Sequence, residues 1–159
     1  MTPTTPLAKA IAREVRDQCL CFVAQRTARE LARRFDRLFS ELALTNGQFS
    51  MMVAMGGMGE PKLGELARFL AMDHATMTAA IRKLEKRGLV SLRADGTDRR
   101  ARRASLTKAG SALVARAAPL WRKERAKLAA ELDGEAQGIR SQMMRLAPPL
   151  RRPPVPTSP

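Results

Sequence analysis

A chain of 159 residues has room for one cored domain with an extension, and not for two full domains. Its 29 Lys and Arg against 15 Asp and Glu leave a net charge of +14, which points to a polyanionic partner, while 45% apolar residues exclude a charge-dominated disordered segment. One histidine, no tyrosine and only two cysteines remove most metal-ligand sets, the commonest general-base chemistry and any disulfide scaffold.

From Leu7 to Leu44 the chain carries no internal Pro or Gly and reads as one long helix. Its apolar stripe changes sides. Ile11, Val15, Cys19 and Phe22 line up in the first half, and Leu31, Phe35, Leu38 and Leu42 in the second, roughly 175° away on a wheel of about 100° per residue. Two packing partners are therefore expected: a second subunit for the first half and the domain's own core for the second. Thr45 or Asn46 caps a short helix through Phe49, Met52, Val53 and Met55, which the run Gly56-Gly57-Met58-Gly59-Glu60-Pro61 is expected to end. The methionines at 51, 52, 55 and 58 read as adaptable core or pocket lining.

Lys62–Leu70 then forms a helix of two to three turns with Leu63, Leu66, Ala67 and Leu70 inward, followed by the tight turn Ala71-Met72-Asp73. Asp73 suits the N-cap of a helix from His74 to Arg87, whose inward positions are Met77, Ile81 and Leu84, with Gly88 as the residue after its end. Helix, three-residue turn and helix make a helix-turn-helix. Residues 89–93 and 102–106 read as two short strands around the loop 94–101, a hairpin wing. Thr107 caps a second long helix through Leu113, Ala117, Leu120 and Leu128, bent at Pro119, and Asp133-Gly134 breaks it. A last helix places Ile139, Met143 and Leu146 on one face and stops before Pro148. Residues 148–159 hold six of the ten prolines and read as a disordered basic tail. The domain layout is thus a single unit: terminal helices at 7–44 and 107–147, a winged helix-turn-helix at 45–106, and the tail.

Charge is unevenly placed. Residues 38–81 hold two basic residues against four acidic, whereas residues 82–103 hold nine against three, on the end of the second helix and the wing. Away from Met77, Ile81 and Leu84 that helix presents Ala75, Ala79, Arg82 and Lys86, flanked by Thr76, Thr78 and Lys83. Ala79 lets a helix sink into a major groove, Thr76 and Thr78 suit a base edge or a phosphate, Arg82 matches guanine with two hydrogen bonds, and Lys83 and Lys86 suit phosphates. A solvated helix face would look the same taken alone. In the wing, Arg99, Arg100, Arg102 and Arg103 surround the tip, as an arginine entering a minor groove requires, and Asp98 is placed to orient a neighbouring arginine by an ion pair.

The stretch LGELARFLAMDHATMTAAIRKLEKRGLVSLRADGTDRRARRASLTKAG resembles the MarR family of bacterial transcription regulators, through Leu66-Ala67, Leu84-Glu85, Arg87-Gly88-Leu89-Val90, Asp98-x-Arg100 and Leu106-Thr107-x-x-Gly110. The resemblance implies a mainly helical fold with a small hairpin wing, a homodimer formed by the terminal helices, and binding to pseudo-palindromic operators in double-stranded DNA. It makes Asp98 and Arg100 paired wing residues and 74–87 the recognition helix. Gln18-Cys19-Leu20-Cys21-Phe22 is similar to the reactive-cysteine segment of the organic-hydroperoxide sensors of this family, with Cys21 at the reactive position. Phe35 and Asn46 stand where those sensors have tyrosines, so Cys21 also reads as a small apolar packing residue.

The expected function is a homodimeric regulator, a repressor released from its operator by a small apolar effector bound between the terminal helices and the winged domain. The alternatives are thiol-based redox sensing through Cys21, with Cys19 as second candidate, and a nonspecific architectural DNA-binding protein. No enzyme, cofactor or metal is expected, since nucleophile-base pairs and phosphate-binding glycine loops are missing. With no apolar leader and no uncharged apolar run of about 18 residues, a cytoplasmic protein without a membrane anchor is expected.

Overall fold

The computed structural model of the chain describes residues 6–98 and 100–147, so Arg99 and the expected tail at 148–159 lie outside the described residues. Among the described residues, seven α-helices and one hairpin follow in the order α1 (Pro6–Gln18), α2 (Leu20–Phe39), a 3-10 turn (Ser40–Leu42), α3 (Asn46–Met58), α4 (Leu63–Phe69), α5 (His74–Lys86), β1 (Val90–Ala94), β2 (Arg102–Leu106), α6 (Lys108–Glu131) and α7 (Ala136–Leu146).

Local chemistry sets most boundaries. Thr45, and not Asn46, caps α3: its hydroxyl accepts from the Gln48 N–H while the Gln48 side chain accepts from the Thr45 N–H, closing a capping box. Asp73 accepts from the Thr76 N–H at the start of α5, and Thr107 from the Gly110 N–H at the start of α6. Gly88, at φ 70°, takes the left-handed conformation that follows α5. The hairpin pairs Val90 with Leu106 through Ala94 with Arg102, antiparallel, so β1 begins one residue later than the sequence pattern suggests.

One sequence expectation is corrected. The N-terminal helix is not continuous: Cys19 adopts an extended conformation (φ −84°, ψ 105°) between α1 and α2. Its Sγ accepts the Phe22 N–H at 3.4 Å, and a thiol that captures a backbone donor can divert the helical ladder with no Pro or Gly present. The run 56–61 ends α3 as expected, at its third glycine. The helix runs through Gly56 and Gly57, with Gly56 facing the Leu106 side chain, and ends at Gly59, which sits at φ 63°. Pro119 lies inside α6, which continues past it to Glu131.

The core gathers Phe39, Phe49, Met52, Met55, Leu66, Met77, Ile81, Leu84, Val90 and Ala117 from α2 through α6. Phe35, Leu38 and Leu42, the second apolar stripe, pack against it, as expected of the half of α2 that serves the chain's own core. Met51, Met52 and Met55 are buried core side chains, with Met58 partly buried beside them. Arg34 of α2 clamps α6: it donates to Glu131 through two bonds of 2.6 and 2.7 Å and also pairs with the buried Glu124. Both carboxylates hold Arg34 well above its ordinary value, and Arg34 in turn lowers theirs.

By contrast, the outer faces of the terminal helices keep large apolar side chains uncovered: Leu7, Ile11, Val15, Phe22 and Val23 on α1 and α2, Trp121 on α6, and Ile139, Met143 and Leu146 on α7. Leu31 of the second stripe also stays exposed. Among the described residues, no helix is long and apolar enough to cross a membrane.

Candidate nucleic-acid interface

With Met77, Ile81 and Leu84 fully buried, the 3.6-residue period of α5 turns Ala75, Thr76, Ala79, Arg82, Lys83 and Lys86 outward, and all six are exposed. Thr78 is half-buried. Its hydroxyl donates to the His74 carbonyl oxygen at 2.8 Å, which leaves its lone pairs and methyl as the features it can offer a ligand. Asp73, whose carboxyl Thr76 holds below its ordinary value by side-chain and backbone hydrogen bonds, anchors the start of the helix. At the other end Arg87 donates to Gln48 of α3 at 3.1 Å, tying the helix to the body of the domain.

The wing presents Arg100 and Arg102 exposed. Together with Lys62, Arg68, His74 and Thr78 they line an open crevice of about 500 Å³ between α4, the first turns of α5 and the hairpin. Lys62 and Arg68, the two cations in the otherwise acidic stretch before α5, are thus brought to the same side as the wing. Charge counting along the chain missed them because tertiary packing, and not sequence proximity, delivers them there.

Asp98 meets Arg100 through the backbone, and its other neighbour, Arg99, lies outside the described residues. The Asp98 carboxylate accepts from the Arg100 backbone N–H at 3.0 Å, and it makes no ion pair with the Arg100 guanidinium. The acidic centre of the wing is Asp95 instead. Its buried Oδ1 accepts from the Thr97 hydroxyl (2.6 Å), the Thr97 N–H (3.0 Å) and the Asp98 N–H (2.9 Å), and its Oδ2 from Arg103 Nε (2.5 Å). The Thr97 hydroxyl, aided by Arg103 and the two backbone donors and opposed by desolvation, holds the Asp95 carboxyl well below the usual carboxylate range. The sequence carried one faint sign of this, an Asp-Gly-Thr run suited to a side-chain-closed turn.

The cysteines lie far from this surface. Cys19 is half-buried at the α1–α2 break. Cys21 is exposed within the single chain and accepts from the Gln25 side-chain amide at 3.1 Å. Phe35 packs on the core, and the Asn46 N–H donates to Asp36 at 2.6 Å.

A helix-turn-helix with an exposed cationic second helix, flanked by an antiparallel hairpin, defines a winged helix-turn-helix protein. A model of the MarR family matches residues 44–101, from the start of α3 through the wing. MosR, a transcriptional regulator of M. tuberculosis solved in complex with DNA, is 31% identical and superposes with a TM-score of 0.75 over 81% of this chain and 93% of its own. Among curated proteins, the regulator SarZ of Staphylococcus haemolyticus is 28% identical over 57% of this chain, which spans 62% of SarZ. The organic hydroperoxide resistance transcriptional regulator of Bacillus subtilis is 24% identical over 62% of this chain and 67% of its own length. The chain belongs to the MarR family of transcriptional regulators.

Proposed function

We propose that the chain is a homodimeric repressor that grips a pseudo-palindromic site in duplex DNA and lets go when a small effector changes the spacing of its two reading heads. The observation that carries this reading is the presence of two different surfaces on one chain: a cationic face on α5 and the wing, and an uncovered apolar face on the terminal helices. The first suits phosphates and base edges, with α5 in the major groove and Arg100 and Arg102 at the minor groove. The second suits a copy of itself, with 7–44 and 107–147 as the pairing helices. Two recognition helices in one dimer must reach major grooves about 34 Å apart, so any ligand that prefers another spacing releases the site.

The effector site of this reading lies between the terminal helices and the winged domain, whereas the groove of about 490 Å³ walled by Phe22, Val23, Thr27 and Leu31 and rimmed by arginines lies on α1 and α2 alone and belongs to the pairing face.

Charge type separates the contacts. Arg82→Ala is expected to cost about 1–3 kcal/mol of operator binding and to relax base preference, as the loss of a bidentate guanine contact does. Arg100→Ala is expected to weaken binding to all sequences and to lower the slope of log K against log salt by about one. Titrations of operator and scrambled duplexes across salt check both, and equal behaviour of the two variants removes the assignment. An architectural DNA-binding protein would instead coat random duplex uniformly, whereas the regulator protects a dyad site of about 20 base pairs.

A second reading, thiol sensing, is favoured by the exposure of Cys21 two residues past the break at Cys19, where oxidation can act on a helix already interrupted. A peroxide would oxidise the Cys21 thiol to a sulfenic acid, releasing the reduced oxygen as water or alcohol. Under this reading Cys21→Ser keeps operator binding and resists peroxide-induced release; release equal to that of the unaltered chain discards it.

A further inference from the structure

In a chain of net charge +14, the least exposed acidic side chain of the wing sits among cations and backbone donors from three different segments. Asp95 follows directly on β1, and its carboxylate is 2% exposed. It meets the tip through Thr97 and Asp98, β2 through Arg103, and the residue before α4 through Lys62 Nζ at 3.3 Å. Arg103 then continues across, donating from Nη1 to the Glu60 carbonyl oxygen at 2.9 Å. The backbone reinforces the same seam: the Ala104 N–H donates to the Pro61 carbonyl oxygen at 3.0 Å, and Lys62 and Arg103 form a bridge pair.

We propose that Asp95 is the positioning residue of the wing, and that Lys62 and Arg103 act as its struts, leaving Arg100 and Arg102 as the described wing cations that reach DNA. This rests on the DNA-binding reading above. Five donor contacts converge on this carboxylate, four at Oδ1 and one at Oδ2, from both sides of the hairpin and from the body of the domain. The wing is therefore held at one angle to α5 and cannot swing as a loose cationic loop. Alternation along β2 gives the same division: Arg102 and Arg103 point to opposite faces, one exposed and one turned to Asp95 and Glu60. Without the carboxylate, Lys62 and Arg103 would face each other unneutralised, and the tip would lose three of its bonds.

The test compares Asp95→Ala, which removes the acceptor of the three tip bonds, and Arg103→Gln with the unaltered chain on one operator duplex. Both variants are expected to keep guanine N7 protection in the major groove by α5, to lose hydroxyl-radical protection in the minor groove beneath the wing, and to bind about tenfold or more weakly. Adding Arg103→Gln to Asp95→Ala is expected to cost less than the sum of the two single losses, because the variants share the Asp95–Arg103 contact while Arg103 keeps its own bond to the Glu60 carbonyl. Hydrogen exchange without DNA is expected to speed up at the Thr97 and Asp98 amides while the α5 amides stay protected. Unchanged minor-groove protection, additive losses, or unaltered exchange at Thr97 and Asp98 each overturns the proposal. An unaltered chain that fails to bind duplex DNA removes the DNA-binding reading instead, and the exchange experiment still decides whether Asp95 holds the wing.

Discussion

A chain carrying Val15→Glu and Ile139→Glu is expected to sediment as a lone subunit and to bind the operator about 100-fold or more weakly than the unaltered chain. Val15 and Ile139 lie in the apolar faces of α1 and α7, which the rest of the chain leaves uncovered. Apolar surface of this kind is stabilised by burial at about 25 cal/mol per Å², and a carboxylate buried in its place must be desolvated without a partner. The core is unaffected, since neither residue contributes to it. The loss of affinity follows from linkage: joining two reading heads strengthens binding by about 10²–10⁴-fold over one head alone. Sedimentation equilibrium with circular dichroism measures the first effect, and footprinting over the dyad the second. A variant that stays dimeric with an intact footprint would falsify the pairing surface.

Gly110→Ala is expected to cost about 3 kcal/mol of folding stability, an overpacking effect at the upper end of its usual range. A methyl group there would lie 2.0 Å from the Leu89 carbonyl oxygen and 3.0 Å from its carbon, both backbone atoms that no side-chain rotation can move aside. The Leu89 oxygen is also fixed by the Thr107 N–H at 3.1 Å, while the Thr107 hydroxyl donates to the Gly88 carbonyl oxygen at 2.7 Å. The start of α6 is thereby pressed against the entry to β1, and relief of the clash has to shift one against the other. Gly57→Ala provides the opposite sign. It sits within α3 with nothing within 4 Å of the new methyl, so it is expected to stabilise by about 0.4–1 kcal/mol through the unfolded chain. Urea unfolding at one fixed protein concentration compares the two; similar midpoints would contradict the close approach at Gly110.

The helix-turn-helix was legible because its signals are local. Asp73 and Thr107 cap the helices that follow them, Gly88 closes α5, and the spacing of Met77, Ile81 and Leu84 names the buried face and so the exposed one. The concentration of cations at 82–103 is likewise a property of the chain itself. The break at Cys19 was not legible, since apolar periodicity continues across it and the cause is a thiol taking one backbone N–H. The run 56–61 was legible as the end of α3, although within it Gly56 packs against Leu106 and the helix continues to Met58 before Gly59 closes it.

The sequence alone determined which segments are helical, which face of α5 is turned outward, and where the cations concentrate, because caps, periodicity and charge act within a few residues. The tertiary structure alone decided that Asp95 and not Asp98 is the acidic centre of the wing, that Arg103 is engaged by it, and that Lys62 and Arg68 share a crevice with Arg100 and Arg102. Those assignments join residues up to 43 positions apart, as in the bond from Arg103 to the Glu60 carbonyl, and a pairing at that range is chosen by how the hairpin packs on the body of the domain.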